Sequence, residues 1–221
     1  MASHIQELFD LLKAQGDGAY IGESISQLEH SLQAAHFAEE QGSDPDTIIA
    51  ALLHDVGQFL PMNHQLLQTA AAAAKTKQAL SREAFEEMPD EKGESVGRMG
   101  HDVIGESYLR SKGWPPSVYK LVGAHVQAKR YLSREAEYQS KLSEASKASL
   151  RHQGGPMNEG EAQEFSEDPL WEKKILLRIC DDRSKVVGLK TKRLDEYRQM
   201  ALSVWQSHQR GQGVVVGGEK A

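Results

Sequence analysis

The sequence predicts an all-α protein, and three observations support this fold class. Apolar residues recur at three- and four-residue spacing, as in Ile5, Leu8 and Leu12. Helix-starting signals precede such segments, as where Asp44 comes just before Pro45. No alternating apolar pattern of strand length is visible.

The helices follow one another along the chain, separated by glycine, proline and polar breaks. We expect helices at about residues 5–15, 28–40, 45–55, 96–109, 117–129, 135–151, 171–185 and 194–208, with a short acidic helix before residue 171. The stretch 62–97 holds an alanine tract and then a mixed-charge segment, and it predicts a helix followed by a mobile loop. We interpret it as an insertion in a single helical domain of residues 1–210, and three roles stay open for it: a lid, a dimer contact or a tolerated insertion. The Gly-rich residues 211–221 predict a disordered tail.

Composition excludes several classes of protein. The chain has 221 residues, is 39% hydrophobic and carries a net charge of -6, which suits an ordinary core and disfavours nonspecific nucleic-acid binding. Its single cysteine, Cys180, excludes an internal disulfide framework and is typical of a reducing compartment. The sequence contains no run of about 18 apolar residues, so it predicts no membrane span. We therefore expect a cytoplasmic protein without nucleic-acid or membrane partners.

The most informative motif is the pair His54-Asp55, which ends the apolar run 48–53. Burying adjacent imidazole and carboxylate groups is costly unless something neutralises and orders them. A metal ion does both. Other polar residues also interrupt helix-like segments, and with this pair they make four histidines and two aspartates: His30, His54, Asp55, His101, His125 and Asp181.

Six such ligands are enough for two metal ions, and a mixed imidazole and carboxylate set suits zinc, iron or manganese. A carboxylate can bridge two metals, which is the expected use of Asp55. The remaining histidines lie in polar, terminal or off-face positions and are expected to have no metal role: His4, His36, His64, His152 and His208.

In the order of these six residues along the sequence, the chain resembles the HD-domain superfamily of metal-dependent phosphohydrolases and their oxygenase relatives. More narrowly, it is similar to the HD-domain mixed-valence diiron oxygenases of organophosphonate breakdown. The resemblance spans about residues 18–190. Besides the ligands, it rests on Tyr20 and Glu23 ahead of His30, HVQAKRYL at 125–132, LSEAS at 142–146, QGGPM at 153–157 and RICDD at 178–182. It implies an HD-domain helical bundle with a dinuclear metal site in its core.

The resemblance also implies a division of the ligands. His30, His54, Asp55 and Asp181 would hold one iron, and Asp55 would bridge to a second iron held by His101 and His125. Asp182 is an alternative to Asp181 if the correspondence shifts by one residue.

Further roles follow from the same resemblance. Lys129 would meet the phosphonate, and Ser146 would line the substrate pocket. Many relatives carry a histidine three residues after the HD aspartate, where this chain has Gln58; glutamine keeps a hydrogen bond there but loses any positive charge. Tyr20 and Glu23 would form a gate over the open iron position.

The implied activity is an oxygenase with two iron ions, as Fe(II)/Fe(III), and O2 as co-substrate. It would cleave the C–P bond of a 1-hydroxy-2-aminoethylphosphonate or its trimethylammonio analogue, giving phosphate and glycine or glycine betaine. The alternative is an HD-domain phosphohydrolase acting on a nucleotide or other phosphate ester, since one fold serves both chemistries. A third class is a non-catalytic protein that keeps the metals for stability. We expect a monomer or a weak homodimer.

Overall fold

Eleven α-helices, one 3-10 helix (Leu194–Tyr197) and one short hairpin are the regular elements of the part of the chain that the computed structural model describes, which is residues 2–18, 20, 23–61, 64 and 86–211. The helices before the hairpin are α1 (Ala2–Gln15), α2 (Gln27–Glu40), α3 (Pro45–Leu53) and α4 (Val56–Phe59). Those after it are α5 (His101–Ser111), α6 (Pro116–Leu132), α7 (Ala136–Lys141), α8 (Glu144–His152), α9 (Glu159–Ser166), α10 (Trp171–Arg183) and α11 (Arg198–Gly211). The all-α prediction is confirmed, with the hairpin as its exception.

Side-chain caps explain where several helices begin. Ser26 accepts from the backbone N–H of Glu29, and the Glu29 carboxylate accepts from the backbone N–H of Ser26, so α2 starts with a reciprocal capping box. Asp44 accepts from the backbone N–H of Thr47 and caps α3, as predicted. Ser143 caps α8, and this extra start divides the predicted helix 135–151 into α7 and α8.

The expectation of a mobile loop and then a helix from residue 96 is wrong where residues are described. Strands β1 (Glu87–Pro89) and β2 (Ser95–Arg98) form an antiparallel hairpin. Its turn is closed by Asp90, whose carboxylate accepts from the backbone N–H groups of Lys92 and Glu94. Strands of three and four residues are too short to carry an alternating pattern. The next helix begins at His101, after Gly100 in the left-handed conformation (φ +69°).

Two other expectations fall partly or wholly outside the described residues. The alanine tract at 70–74 is one of them. The other is the tail at 211–221, of which only Gly211 is described; it is the last residue of α11. No helix of the described part is long and apolar enough to cross a membrane.

The core is a continuous cluster of buried apolar side chains that extends from Ile5 in α1 to Trp205 in α11. Helix α3 lies at its centre, because all of its residues from Thr47 to Leu53 are buried. It packs against α2, α6 and α10, while α5 packs against α4 and α6. The polar residue pair that follows α3 is thereby carried into the middle of the protein.

Candidate metal centre and adjoining cavity

Five parts of the fold deliver the predicted ligands to one buried place. His54 and Asp55 form the bend between α3 and α4, and His101 is the first residue of α5. All six residues are buried, with at most 6% of their surface exposed: His30, His54, Asp55, His101, His125 and Asp181. The structure therefore brings together every residue that was predicted to ligate metal.

Backbone carbonyls set the tautomer of each histidine. The Nδ1 atoms of His54, His101 and His125 lie 2.7–2.8 Å from the carbonyl oxygens of the residues three positions earlier. His30 Nδ1 lies 2.7 Å from the carbonyl oxygen of Ser184. A carbonyl only accepts, so Nδ1 carries a proton, and the tautomer that this fixes presents a lone pair at Nε2.

These Nε2 atoms face one another in pairs. His30 Nε2 lies 3.0 Å from His54 Nε2, and His101 Nε2 lies 2.9 Å from His125 Nε2. Two lone pairs cannot form a hydrogen bond with each other. A cation between each pair removes this conflict, so the donor chemistry fits two metal ions.

Asp55 lies between the two histidine pairs. Its Oδ1 is 3.4 Å from His101 Nε2 and 3.6 Å from His125 Nε2. Its Oδ2 is 3.7 Å from His30 Nε2 and 3.6 Å from His54 Nε2. Each oxygen thus serves one pair, which is the arrangement of a carboxylate that can bridge two metals.

Asp181 adds a donor to only one half of the cluster, the half around His30 and His54. Its Oδ1 is 3.3 Å from His30 Nε2 and 3.8 Å from His54 Nε2. Asp182 turns away, accepting a 2.5 Å hydrogen bond from the Tyr138 hydroxyl and pairing with Arg178. The half at His30 therefore has four donor residues, and the half at His101 has three.

The protonation states suit metal binding. Burial, together with the neighbouring His101 and His54, lowers the pKa of His125 to about 3. Burial alone would raise the pKa of the Asp55 carboxyl, but the surrounding imidazoles outweigh it and hold this pKa below its ordinary value. At neutral pH the His125 ring is a neutral donor and Asp55 is an anion.

A cavity of about 50 Å³ adjoins the six-residue cluster, four of whose members line it: Asp55, His101, His125 and Asp181. Its wall includes the predicted substrate residues Lys129, Gln58 and Ser146 and the predicted gate residues Tyr20 and Glu23. The structure thus places all five at one cavity. Gln58 Oε1 also accepts from the backbone N–H of Arg98 at 2.9 Å, which ties α4 to β2 and leaves the amide N–H groups of Gln58 as donors.

Lys129 is an unusual group in this wall because it is 4% exposed and its Nζ donates to Ser149 Oγ at 2.9 Å. Within the described residues, no carboxylate oxygen lies within 4.0 Å of this Nζ. Burial, together with the nearby positive charge of Arg178, lowers the pKa of Lys129 to about 7. A buried ammonium without a carboxylate partner favours an anionic ligand.

Tyr20 and Glu23 belong to one turn at the entrance of α2. The backbone N–H of Glu23 donates to the carbonyl of Tyr20 at 2.9 Å. The Tyr20 ring stacks on His30, with centroids 3.8 Å apart and planes 14° apart. Burial and the charges of Asp181 and Asp55 raise the pKa of the Tyr20 phenol well above its ordinary value, so the hydroxyl stays protonated.

Three residues of the site were missed by the sequence analysis as functional candidates. Arg178 forms ion pairs with Asp181 and Asp182. Ser149 accepts a hydrogen bond from Lys129, and Lys185 lines the cavity. Spacing was the available signal: Arg178 precedes the two aspartates by three and four residues, which places them on one helix face. The position of Lys185 had no such local signal.

Comparisons with known proteins identify a matching family model and several relatives. The HD domain family model matches residues 28–185. The chain is 36% identical to an uncharacterized protein of Acanthamoeba polyphaga mimivirus, covering 90% of this chain and 80% of that one.

Two further relatives have named activities. The chain is 36% identical to a hydroxymethylphosphonate dioxygenase of Gimesia maris, over 87% of this chain and 84% of the relative. It is 33% identical to a [1-hydroxy-2-(trimethylamino)ethyl]phosphonate dioxygenase (glycine-betaine-forming) of Leisingera caerulea, over 80% and 78% of the two chains.

Proposed function

This chain belongs to the HD domain family, and we propose that it is an iron-dependent oxygenase that cleaves the C–P bond of a 1-hydroxyphosphonate. One observation carries the proposal: two histidine pairs that share Asp55 adjoin a cavity whose wall holds the buried ammonium of Lys129. The names of the two phosphonate dioxygenases among its relatives support the same reaction class.

Two iron ions fit the donor set, as a mixed-valence Fe(II)/Fe(III) pair. His30, His54, Asp55 and Asp181 would hold one ion, and Asp55, His101 and His125 the other. When bound, the irons supply the activation of O2 and orient the substrate. Because the half at His101 has fewer protein donors, it has more room for ligands from solution.

The chain's own residues bind the phosphonate. Lys129 supplies a positive charge that burial has already stripped of solvent, so its attraction for a phosphonate is strong. Ser146 and the amide N–H groups of Gln58 add hydrogen bonds from the same cavity wall. A bound dianion also raises the pKa of Lys129 above about 7, which keeps the ammonium charged.

Tyr20 and Glu23 act as the gate in this proposal. Stacking on His30 places Tyr20 beside the four-donor half of the cluster. If an ion were held there, the protonated phenol would be a weak ligand to it, so Tyr20 would give way to a phosphonate that enters the cavity. Glu23 lies in the same turn, so its contacts and the position of Tyr20 change together.

The reaction balances with one O2 per substrate. The C–P bond breaks, C1 becomes a carboxylate carbon and phosphorus leaves as inorganic phosphate, with the two added oxygen atoms drawn from O2 and one proton released. With a 2-amino or 2-trimethylammonio substituent the other product would be glycine or glycine betaine. Without a substituent it would be formate.

The test measures oxygen uptake and phosphate release by protein loaded with iron under argon. The compounds are hydroxymethylphosphonate, (R)-2-amino-1-hydroxyethylphosphonate and the trimethylated analogue of the latter. We expect O2 consumption and phosphate release in a one-to-one ratio for at least one compound. His101→Ala should abolish both, while His36→Ala, a histidine outside the cluster, should retain both. Hydrolysis of phosphate esters without oxygen, and no oxygen uptake with any of the three, would replace the oxygenase by a phosphohydrolase.

A further inference from the structure

Glu23 and Lys185 face each other across the wall of the cavity. Glu23 Oε1 lies 3.7 Å from Lys185 Nζ, and the two side chains are only 19% and 14% exposed. This Glu23 oxygen is buried and has no hydrogen-bond partner among the described residues. Among the described lining residues, Glu23 is the one carboxylate besides Asp55 and Asp181.

Lys185 is held in place from several directions. Its Nζ donates to Ser146 Oγ at 2.9 Å and to Ser143 Oγ at 3.2 Å, both at the start of α8. Its neighbour Ser184 accepts from His30 Nδ1 through its backbone carbonyl. The ammonium is therefore tied to the same frame that positions the metal ligands.

With Asp55 and Asp181 assigned to the metal ions and Arg178 paired with Asp181, the charged groups that remain in the described cavity wall are Lys129, Lys185 and Glu23, a net positive set. The cavity measures about 50 Å³, and Glu23, the one carboxylate of this remaining set, already faces Lys185. A phosphonate gains from both ammonium groups. An ammonium group on the same small molecule would lie within a few ångströms of Lys185 and would share Glu23 with it, so the like charges repel.

A quaternary ammonium would also lack an aromatic cage. Among the described lining residues, Tyr20 is the one aromatic side chain other than the histidines, and one face of its ring is stacked on His30. Recognition of trimethylammonium groups typically uses several aromatic faces.

We propose that Lys185 is a specificity-determining residue that selects 1-hydroxyphosphonates without a cationic substituent, because it occupies the position beside Glu23 that a substrate ammonium needs. This inference rests on the proposed function and narrows its substrate class to hydroxymethylphosphonate and similar uncharged-substituent compounds. It sets this chain apart from an enzyme for the amino or trimethylammonio compounds.

Binding is measured first, by isothermal titration calorimetry of the metal-loaded protein under argon, where no turnover occurs. We expect hydroxymethylphosphonate to bind at least about tenfold more tightly than the 2-amino and 2-trimethylammonio compounds, as befits like charges a few ångströms apart. Lys185→Gln should reduce this ratio by about tenfold, since Glu23 is then free for the substrate ammonium. Lys185→Arg, which keeps the charge, should retain the preference, and Lys141→Gln on the surface should not change it.

The inference is overturned if the wild-type protein binds a cationic compound as tightly as hydroxymethylphosphonate, or if Lys185→Gln folds and leaves the ratio unchanged. Parallel oxygen-uptake assays separate this failure from a failure of the proposed function. Faster turnover of the 2-amino compound would contradict the proposed specificity and would still support the oxygenase activity. Phosphonate binding with the expected preference but without oxygen uptake would contradict the oxygenase activity and would still support the selective binding site. If none of the compounds binds, both proposals are overturned.

Discussion

Arg178 holds one oxygen of Asp181 and leaves the other facing His30. Arg178 Nη1 lies 2.8 Å from Asp181 Oδ2, while Asp181 Oδ1 lies 3.3 Å from His30 Nε2. The same guanidinium pairs with Asp182, so one buried cation orients two carboxylates of α10. Burial alone would raise the pKa of Asp181, but Arg178 and the histidines outweigh it and keep this pKa well below its ordinary value.

Replacing Arg178 with methionine should destabilise the metal-free protein by about 3–5 kcal/mol, because it leaves the buried Asp181 and the partly buried Asp182 without their cation. Arg183→Met, at the exposed end of the same helix, should cost no more than about 1 kcal/mol. Urea unfolding in EDTA measures both. Equal costs for the two variants would show that Arg178 has no special part in holding Asp181.

Gly57 allows the close approach of α4 to the start of α5. A Cβ atom at this position would lie 1.9 Å from the backbone oxygen of His101. Gly57→Ala should therefore displace His101, lower stability by about 1–3 kcal/mol and weaken metal binding. Thermal unfolding and the metal content of the purified protein are the measurements.

The matched control for that change is Gly160→Ala in α9, where the nearest atom to the new Cβ is 3.5 Å away. It should be neutral or stabilise the protein by up to about 1 kcal/mol, since alanine favours a helix over glycine. If both glycine variants retain full stability and metal content, tight packing at Gly57 is not required.

Metal stoichiometry should follow the two histidine pairs. His30→Ala and His101→Ala should each bind about one metal ion per chain after anaerobic loading with iron, because each removes a ligand from a different half. Asp55→Asn should weaken the binding of both ions, since each Asp55 oxygen faces one histidine pair. Elemental analysis of desalted protein gives the count, and loss of both ions in each histidine variant would argue against two separable halves.

The stability of the metal-free protein should fall as the pH drops from about 6.5 towards 3. The pKa of His125 is lowered to about 3 in the folded state, so in this range the unfolded chain binds a proton that the folded chain does not. One such proton gives a slope of about 1.4 kcal/mol per pH unit. Urea unfolding at several pH values should show a slope that is smaller by this amount in His125→Asn, whereas an unchanged slope would mean that another group titrates.

Much of the helical fold was predictable because helix signals are local. The predicted helix at 28–40 agrees with α2 to within a residue, since its cap and its ending glycine lie close by in sequence. The hairpin was not predictable. Its register depends on pairing Glu87 with Arg98 across a turn, and its strands are too short to show a period.

The candidate metal cluster was recognisable from residue types, because polar groups inside apolar helical segments need neutralisation when buried. From residue types we could predict the fold class and the six candidate donors, and the family resemblance added Lys129 and the division of the donors into two sets. The packing of the helices then placed His30 Nε2 against His54 Nε2, brought Asp181 instead of Asp182 to them, and set Lys185 against Glu23. Local spacing sets the face of a helix on which a side chain lies. Contacts such as that of His30 with Ser184, 154 residues apart, depend on how all the helices pack together.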